Sequence, residues 1–122
     1  MYDTLGSDVE IWTMCFKDEY WWFGDMCYDE RCDNSPTISD PTLETFNADV
    51  KAKELYDYAM ENHAVYRGNH VVIPWGGDFA YGNAHLTFWS SDNLIEYFNE
   101  VYPNVTAFYS TPYMFMDAIK SQ

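Results

Sequence analysis

Basic residues are scarce in this chain of 122 residues: 6 lysines and arginines stand against 20 aspartates and glutamates, for a formal charge of −14. So acidic a surface repels phosphate backbones and anionic lipid headgroups, which argues against nucleic acid and acidic membranes as partners. Long apolar runs are missing too, and none approaches the roughly 20 residues that a membrane helix needs. Met1-Tyr2-Asp3-Thr4 has no basic n-region and no apolar h-region, so no signal peptide is expected there. Several chemical motifs are also lacking. Trp75-Gly76-Gly77 fits neither the GxGxxG nor the GxxxxGKS/T phosphate loop, and no GxSxG elbow occurs. His63, His70 and His85 show no paired metal-ligand spacing and read as surface or capping residues. There is no internal repeat and no low-complexity tract.

What is present is apolar and aromatic. Hydrophobic residues make up 48% of the chain and aromatics 20%, which disordered segments do not reach. The length suits one small domain with a modest core. Three cysteines occur: Cys15, Cys27 and Cys32. The Cys27-Tyr28-Asp29-Glu30-Arg31-Cys32 spacing can close a small disulfide loop or leave two reduced buried thiols; it is not the CxxC of most zinc and redox sites. Cys15 has no evident base beside it and reads as structural. Asn104-Val105-Thr106 is an N-glycosylation sequon, a mild pointer to the secretory pathway.

Two regions differ in pattern. Residues 1–46 lack clean periodicity, hold the dense aromatic run Tyr20-Trp21-Trp22-Phe23, and pass through two prolines, Pro36 and Pro41. This is a loop-rich segment. Residues 47–122 become regular. Asn47 suits an N-cap, and Ala48, Ala52, Leu55, Ala59 and Met60 recur at helical spacing before a stop at Gly68-Asn69. Val71-Val72-Ile73 predicts a buried parallel strand ending near Pro74. A second helix is expected from Ser91, with Leu94, Ile95, Phe98, Val101 and Tyr102 on its apolar face. Val105 to Tyr109 predicts a second strand, and Thr111-Pro112 opens a third helix over Tyr113 to Lys120. Helix, strand, helix, strand, helix is the rhythm of an α/β protein. Two parallel strands lack the neighbours and cover that such sheets need, so the chain is expected to be part of something larger.

Asp78 is the strongest candidate for chemistry. It follows a predicted strand, where active-site groups of parallel α/β folds gather. Gly76 and Gly77 allow a sharp turn before it, and Trp75, Phe79, Tyr81 and Phe88 flank it in sequence. A carboxyl group among aromatics is expected to be desolvated, which favours its neutral form and suits a general acid. The plainer alternative is a capping aspartate, a far commoner role.

Gly77-Asp78-Phe79-Ala80-Tyr81-Gly82-Asn83-Ala84 resembles the Asp-Phe motif of glycoside hydrolase family 38 α-mannosidases, the lysosomal type in particular. Tyr109-Ser110-Thr111-Pro112 is similar to the family's next strand end, the helix around Ala52-Lys53-Glu54-Leu55 fits its pattern, and Cys27 and Cys32 have the spacing of a family cysteine pair. The resemblance runs from about Cys27 to the C-terminus. It implies an internal segment of a retaining, zinc-dependent enzyme that removes terminal α-linked mannose from glycans. Asp78 would be its general acid/base, Tyr81 and Tyr2 its sugar contacts, and Cys27–Cys32 a disulfide. The expected architecture is a partial parallel β/α barrel, two strands with flanking helices over 47–122, preceded by the loop-rich, disulfide-containing segment 1–46. The family's nucleophile, in an Asp-Pro-Phe-Gly-His context, and its zinc ligands have no counterpart in this sequence, so the remainder of the glycosidase chain is an implied partner and the segment alone is expected to be inactive. Glycosylation at Asn104 and a lysosomal or vacuolar destination would follow. Gly77 departs from Golgi-type members, which carry a second aspartate there.

Two other readings compete. In a carbohydrate-binding module the aromatics would stack on sugars and Asp78 would only accept hydrogen bonds; helix–strand alternation argues against it. A plain α/β interaction domain would need the strands that are missing here.

Overall fold

A computed structural model of the chain describes residues 13–122. Among them are three helices: α1 (Ala48–Val65), α2 (Ala84–Val101) and α3 (Pro112–Lys120). Helices α1 and α2 pack on each other. The core forms where the segment around Trp22, Met26, Cys27 and Tyr28 meets Ala52 and Leu55 of α1 and Leu94 and Phe98 of α2. Ala48, Ala52, Leu55 and Ala59 line the buried stripe of α1, as their spacing predicts. Truncating a fully buried aromatic such as Phe98, 1% exposed, to alanine costs about 3–5 kcal/mol in comparable cores.

The helix ends show which side chains fix the chain's path. Thr111 caps α3, accepting from Met114 N at 3.3 Å, with Pro112 at the first turn, as expected. Asn47 sits at the N-cap of α1, yet its side chain does not cap. It clamps the incoming loop instead: Oδ1 accepts from Ile38 N at 2.8 Å, and Nδ2 donates to Pro36 O at 3.0 Å. Asn93 Nδ2, on α2, holds the same loop at Thr37 O, 3.1 Å away. Helix α2 begins at Ala84, about two turns before the expected start at Ser91. Asn83 is its cap, its Oδ1 accepting from Leu86 N at 3.1 Å. Ser91 is buried in the helix interior, where its hydroxyl donates to Thr87 O at 2.8 Å. Val101, expected on the apolar face, is 42% exposed.

The partial parallel β/α barrel is not what the chain forms. No strand and no sheet occur among the described residues, and the two expected strands, Val71-Val72-Ile73 and Val105 to Tyr109, are irregular. Only some of their apolar side chains turn inward: Ile73, Trp75, Val105 and Ala107 pack against the core, whereas Phe108 and Tyr109 are exposed. Their polar groups find side chains rather than a ladder. The Asn99 amide pairs with Ala107 in both directions, accepting from its N–H at 2.8 Å and donating to its carbonyl at 2.9 Å. Trp75 Nε1 donates to Ser91 Oγ at 2.8 Å. The apolar runs reported partial burial, and partial burial does not require strand pairing.

Tyr28 shows how tightly the centre is closed. It is 1% exposed, its hydroxyl shares a 2.8 Å hydrogen bond with Thr37 Oγ1, and Lys51 Nζ lies 5.1 Å from its ring centre. Burial also pushes the Lys51 ammonium below the usual lysine range while Nζ donates to Asp25 O at 2.9 Å. The Tyr28 phenol is pushed up to about 12, chiefly by burial. An unfolded tyrosine ionises near 10, so the unfolded chain releases this proton first as pH rises. Tyr28 therefore contributes stability that is fully present below about pH 10 and lost as pH climbs towards 12, on the order of 2–3 kcal/mol. Denaturant unfolding followed from pH 9 to 12 should show this decline. Tyr28→Phe should flatten it by a comparable amount.

Candidate active site

Asp78 sits in a tight turn between the irregular segment 71–77 and the cap of α2, closed by Ala80 N donating to Gly77 O at 3.1 Å. Two glycines lead into it for different reasons. Gly76 has φ +139, a conformation that side-chain-bearing residues rarely adopt. Gly77 is covered by the indole of Trp21, whose six-membered ring occupies the place where a Cβ would stand. A second aspartate at this position would therefore have to displace Trp21. Beyond Asp78 the backbone is strained: Phe79 and Tyr81 have φ of 57 and 65, the left-handed region. Each such residue costs about 1–3 kcal/mol and persists only where its surroundings hold it.

The carboxyl group of Asp78 is exposed, and Phe79 beside it is 81% exposed. The aromatics that neighbour Asp78 in sequence thus do not enclose it, contrary to the expected desolvation. One of its oxygens accepts a hydrogen bond from Tyr20 Oη at 3.0 Å. The bond to Asp78 in turn raises the pKa of the Tyr20 phenol, because phenolate beside carboxylate is disfavoured. The other carboxyl oxygen has no hydrogen-bond partner among the described residues. Together Tyr20, Pro74, Trp75, Gly77, Asp78 and Tyr81 line an open depression of about 290 Å³. Trp21, Trp22, Phe23 and Tyr58 line a neighbouring groove of about 580 Å³.

The disulfide-closed loop grips this turn from below. Cys27 and Cys32 are bonded, with Cα atoms 5.9 Å apart. So short a ring removes less unfolded-chain entropy than the ~3 kcal/mol of a 15-residue loop, so its main effect is on local shape. Asp29, 4% exposed, accepts from Gly82 N at 3.0 Å through Oδ2. Arg31 Nη1 donates to Asp78 O at 3.2 Å, and its guanidinium lies 5.1 Å from the Phe79 ring centre. Thr87 Oγ1 on α2 donates to Tyr28 O at 2.6 Å, fixing the loop to the helix that follows the turn.

The other sequence candidates fall as follows. Tyr81 borders the depression, and its hydroxyl is engaged with Trp75 O at 2.6 Å while burial raises its pKa. Tyr2 lies outside the described residues. Asn104 is exposed in the turn after α2. Among the described residues no three of His, Cys, Asp and Glu come together as a metal ion requires, so the residues present do not fit a zinc site. Tyr20, Asp29 and Arg31 were not singled out by the sequence. Tyr20 meets Asp78 across 58 residues of chain, and no local spacing announces such a contact.

Comparison with known proteins agrees with the motif at this turn. Residues 6–122 match the family described as Glycosyl hydrolases family 38 N-terminal domain. A probable alpha-mannosidase of Arabidopsis thaliana is 34% identical over 116 residues, covering 94% of this chain and 11% of the relative. The lysosomal alpha-mannosidase of Homo sapiens is 37% identical over 94 residues, covering 71% of this chain and 9% of the relative. That of Dictyostelium discoideum is 37% identical over 89 residues, with 70% and 9% covered. The chain thus spans about a tenth of the length of the curated relatives it matches. With the Asp78 turn and the Cys27–Cys32 disulfide in place, a match over nearly its whole length settles its family: the chain belongs to glycoside hydrolase family 38, in the N-terminal domain.

Proposed function

We propose that this chain is a segment of a retaining α-mannosidase that removes terminal α-linked mannose from glycans, with Asp78 as its general acid/base. The observation that carries the reading is the state of the Asp78 carboxyl: one oxygen is oriented by Tyr20 at 3.0 Å, and the other is open to the depression in front of it. An acid/base needs that combination of a fixed orientation and a free oxygen within reach of the substrate. In the first step Asp78 would give its proton to the leaving oxygen as the glycosidic bond breaks. In the second it would take a proton from the water that attacks the glycosyl-enzyme. Tyr20 steers the carboxyl, and Tyr81 and Tyr2 are proposed sugar contacts.

The retaining mechanism also needs a second carboxyl group about 5–5.5 Å from the first. Family likeness supports zinc dependence; in this reading both the nucleophile and the zinc ligands belong to the remainder of the glycosidase. Residues 47–122 would then be part of the catalytic domain, with 1–46 as its loop-rich flank. The lysosomal relatives and the exposed Asn104 sequon support a glycosylated protein of the secretory pathway, lysosome or vacuole. No helix among the described residues is long and apolar enough to cross a membrane.

Two measurements test this. The 122-residue chain alone should not turn over an aryl α-mannoside, because general acid catalysis supplies only about 10²–10⁴-fold of the acceleration required. Detectable zinc-independent turnover by the chain would sink the division of labour. In the complete hydrolase, Asp78→Asn should slow glycosylation by about 10²–10⁴-fold for substrates whose leaving group needs a proton. A dinitrophenyl mannoside, whose leaving group needs none, should lose far less in pre-steady-state measurements. Equal loss on both substrates would mean that Asp78 positions sugar or fold instead of donating a proton.

A further inference from the structure

We infer that Arg31 is a positioning residue for Asp78: from the disulfide-closed loop it holds the strained turn that presents the acid/base carboxyl. The inference rests on the reading of Asp78 just proposed, and it concerns a residue that acts through Asp78 without touching its carboxyl group.

The turn cannot hold its own shape. Phe79 and Tyr81 both lie in the left-handed region, and neither is a glycine. Three contacts keep them there. Tyr81 Oη is tied to Trp75 O, and Gly82 N is tied to Asp29 Oδ2. Those two fix the later half of the turn. The earlier half depends on Arg31, the one side chain among the described residues that bonds to the backbone of Asp78 or Phe79. Its guanidinium makes two contacts at once, a hydrogen bond to Asp78 O and a cation–π contact with the Phe79 ring. Phe79 is 81% exposed, and apart from Arg31 its backbone is held by the turn's own hydrogen bond from Ala80 N to Gly77 O.

Arg31 has an alternative use that it does not take. It is flanked in sequence by Asp29, Glu30 and Asp33 in a chain of formal charge −14, yet it forms no ion pair among the described residues. The fork of donors is turned to the Asp78 turn instead. Its reach is set by the ring: the Cys27–Cys32 bond and the Cys32 N to Asp29 O hydrogen bond of 3.0 Å curl the loop so that Asp29 and Arg31 face the same turn. Arg31 itself is exposed, so its removal leaves the core intact.

The test is Arg31→Ala beside Arg31→Lys in the complete hydrolase, read three ways. Thermal unfolding should be little changed. Arg31→Ala should lower kcat on a substrate with a poor leaving group by about ten- to a hundredfold, the scale of a misplaced catalytic group. The pre-steady-state glycosylation rate with dinitrophenyl mannoside should be largely kept, because that leaving group needs no proton, while release of the glycosyl-enzyme should slow, because the same carboxyl group is the base of the second step. Arg31→Lys, which keeps a cation and a donor, should recover much of the loss. Amide hydrogen exchange at Ala80, whose N–H donates to Gly77 O, should quicken in Arg31→Ala. Equal loss of the glycosylation rate on both substrates, or unchanged exchange at Ala80, would overturn the inference. If the unmodified protein hydrolyses neither mannoside, the acid/base reading falls and takes the catalytic role of Arg31 with it; exchange at Ala80 still decides whether Arg31 clamps the turn.

Discussion

Burial of the segment Trp22 to Tyr28 between α1 and α2 is the constraint on which the remaining structure depends. Without it the two helices would offer each other mainly alanines on one side and Leu94 and Phe98 on the other. With Trp22, Met26, Cys27 and Tyr28 wedged against both, eight side chains share one apolar cluster. Fully burying a large side chain contributes about 1.5–3 kcal/mol, so a few of them outweigh any single surface pair in this chain. The closure has costs as well. Lys51 is 7% exposed, and the buried Trp22 Nε1 and Ser90 Oγ lack hydrogen-bond partners among the described residues. An unsatisfied buried group of this kind costs about 1–3 kcal/mol.

The site follows from the same wedge. Cys27 and Tyr28 enter the core, so the loop they begin must emerge beside the N-terminal end of α2. Thr87 secures it there through Tyr28 O. The loop then meets the turn around Asp78 from one side, while Tyr20 and Trp21, just ahead of the wedge, reach it from the other. Three stretches far apart in sequence thereby converge on one carboxyl group. The strain at Phe79 and Tyr81 is tolerated because these contacts over-determine the turn.

How much of this could be read from the sequence depends on the range of the interaction. The apolar stripe of α1 and the Thr111-Pro112 start of α3 are local signals, and they held. The cysteine spacing left two outcomes open, and the family resemblance rather than geometry chose the bonded one. The start of α2 was misplaced because Ser91 looks like a cap, whereas Thr87, Ser90 and Ser91 are small buried residues that let the loop and Trp75 approach the helix. The two strands were misjudged because a short apolar run signals burial alone, and a side chain such as Asn99 can satisfy the backbone in place of a neighbouring strand. At the candidate site, the motif singled out Asp78. Its exposure, and its partners Tyr20 and Arg31, were not, since these depend on contacts across 58 and 47 residues.

The central claim is that Asp78 donates and removes protons while another carboxylate carries the sugar. Chemical rescue tests that division directly. In the complete hydrolase, Asp78→Ala should still form a glycosyl-enzyme from dinitrophenyl mannoside but should release it slowly. Added azide should then accelerate turnover and give α-mannosyl azide, because azide needs no general base and attacks the face that water would. A β-mannosyl azide product would contradict the account by making Asp78 the nucleophile. Failure of azide to accelerate a variant that still accumulates the glycosyl-enzyme would contradict it by removing the general-base role.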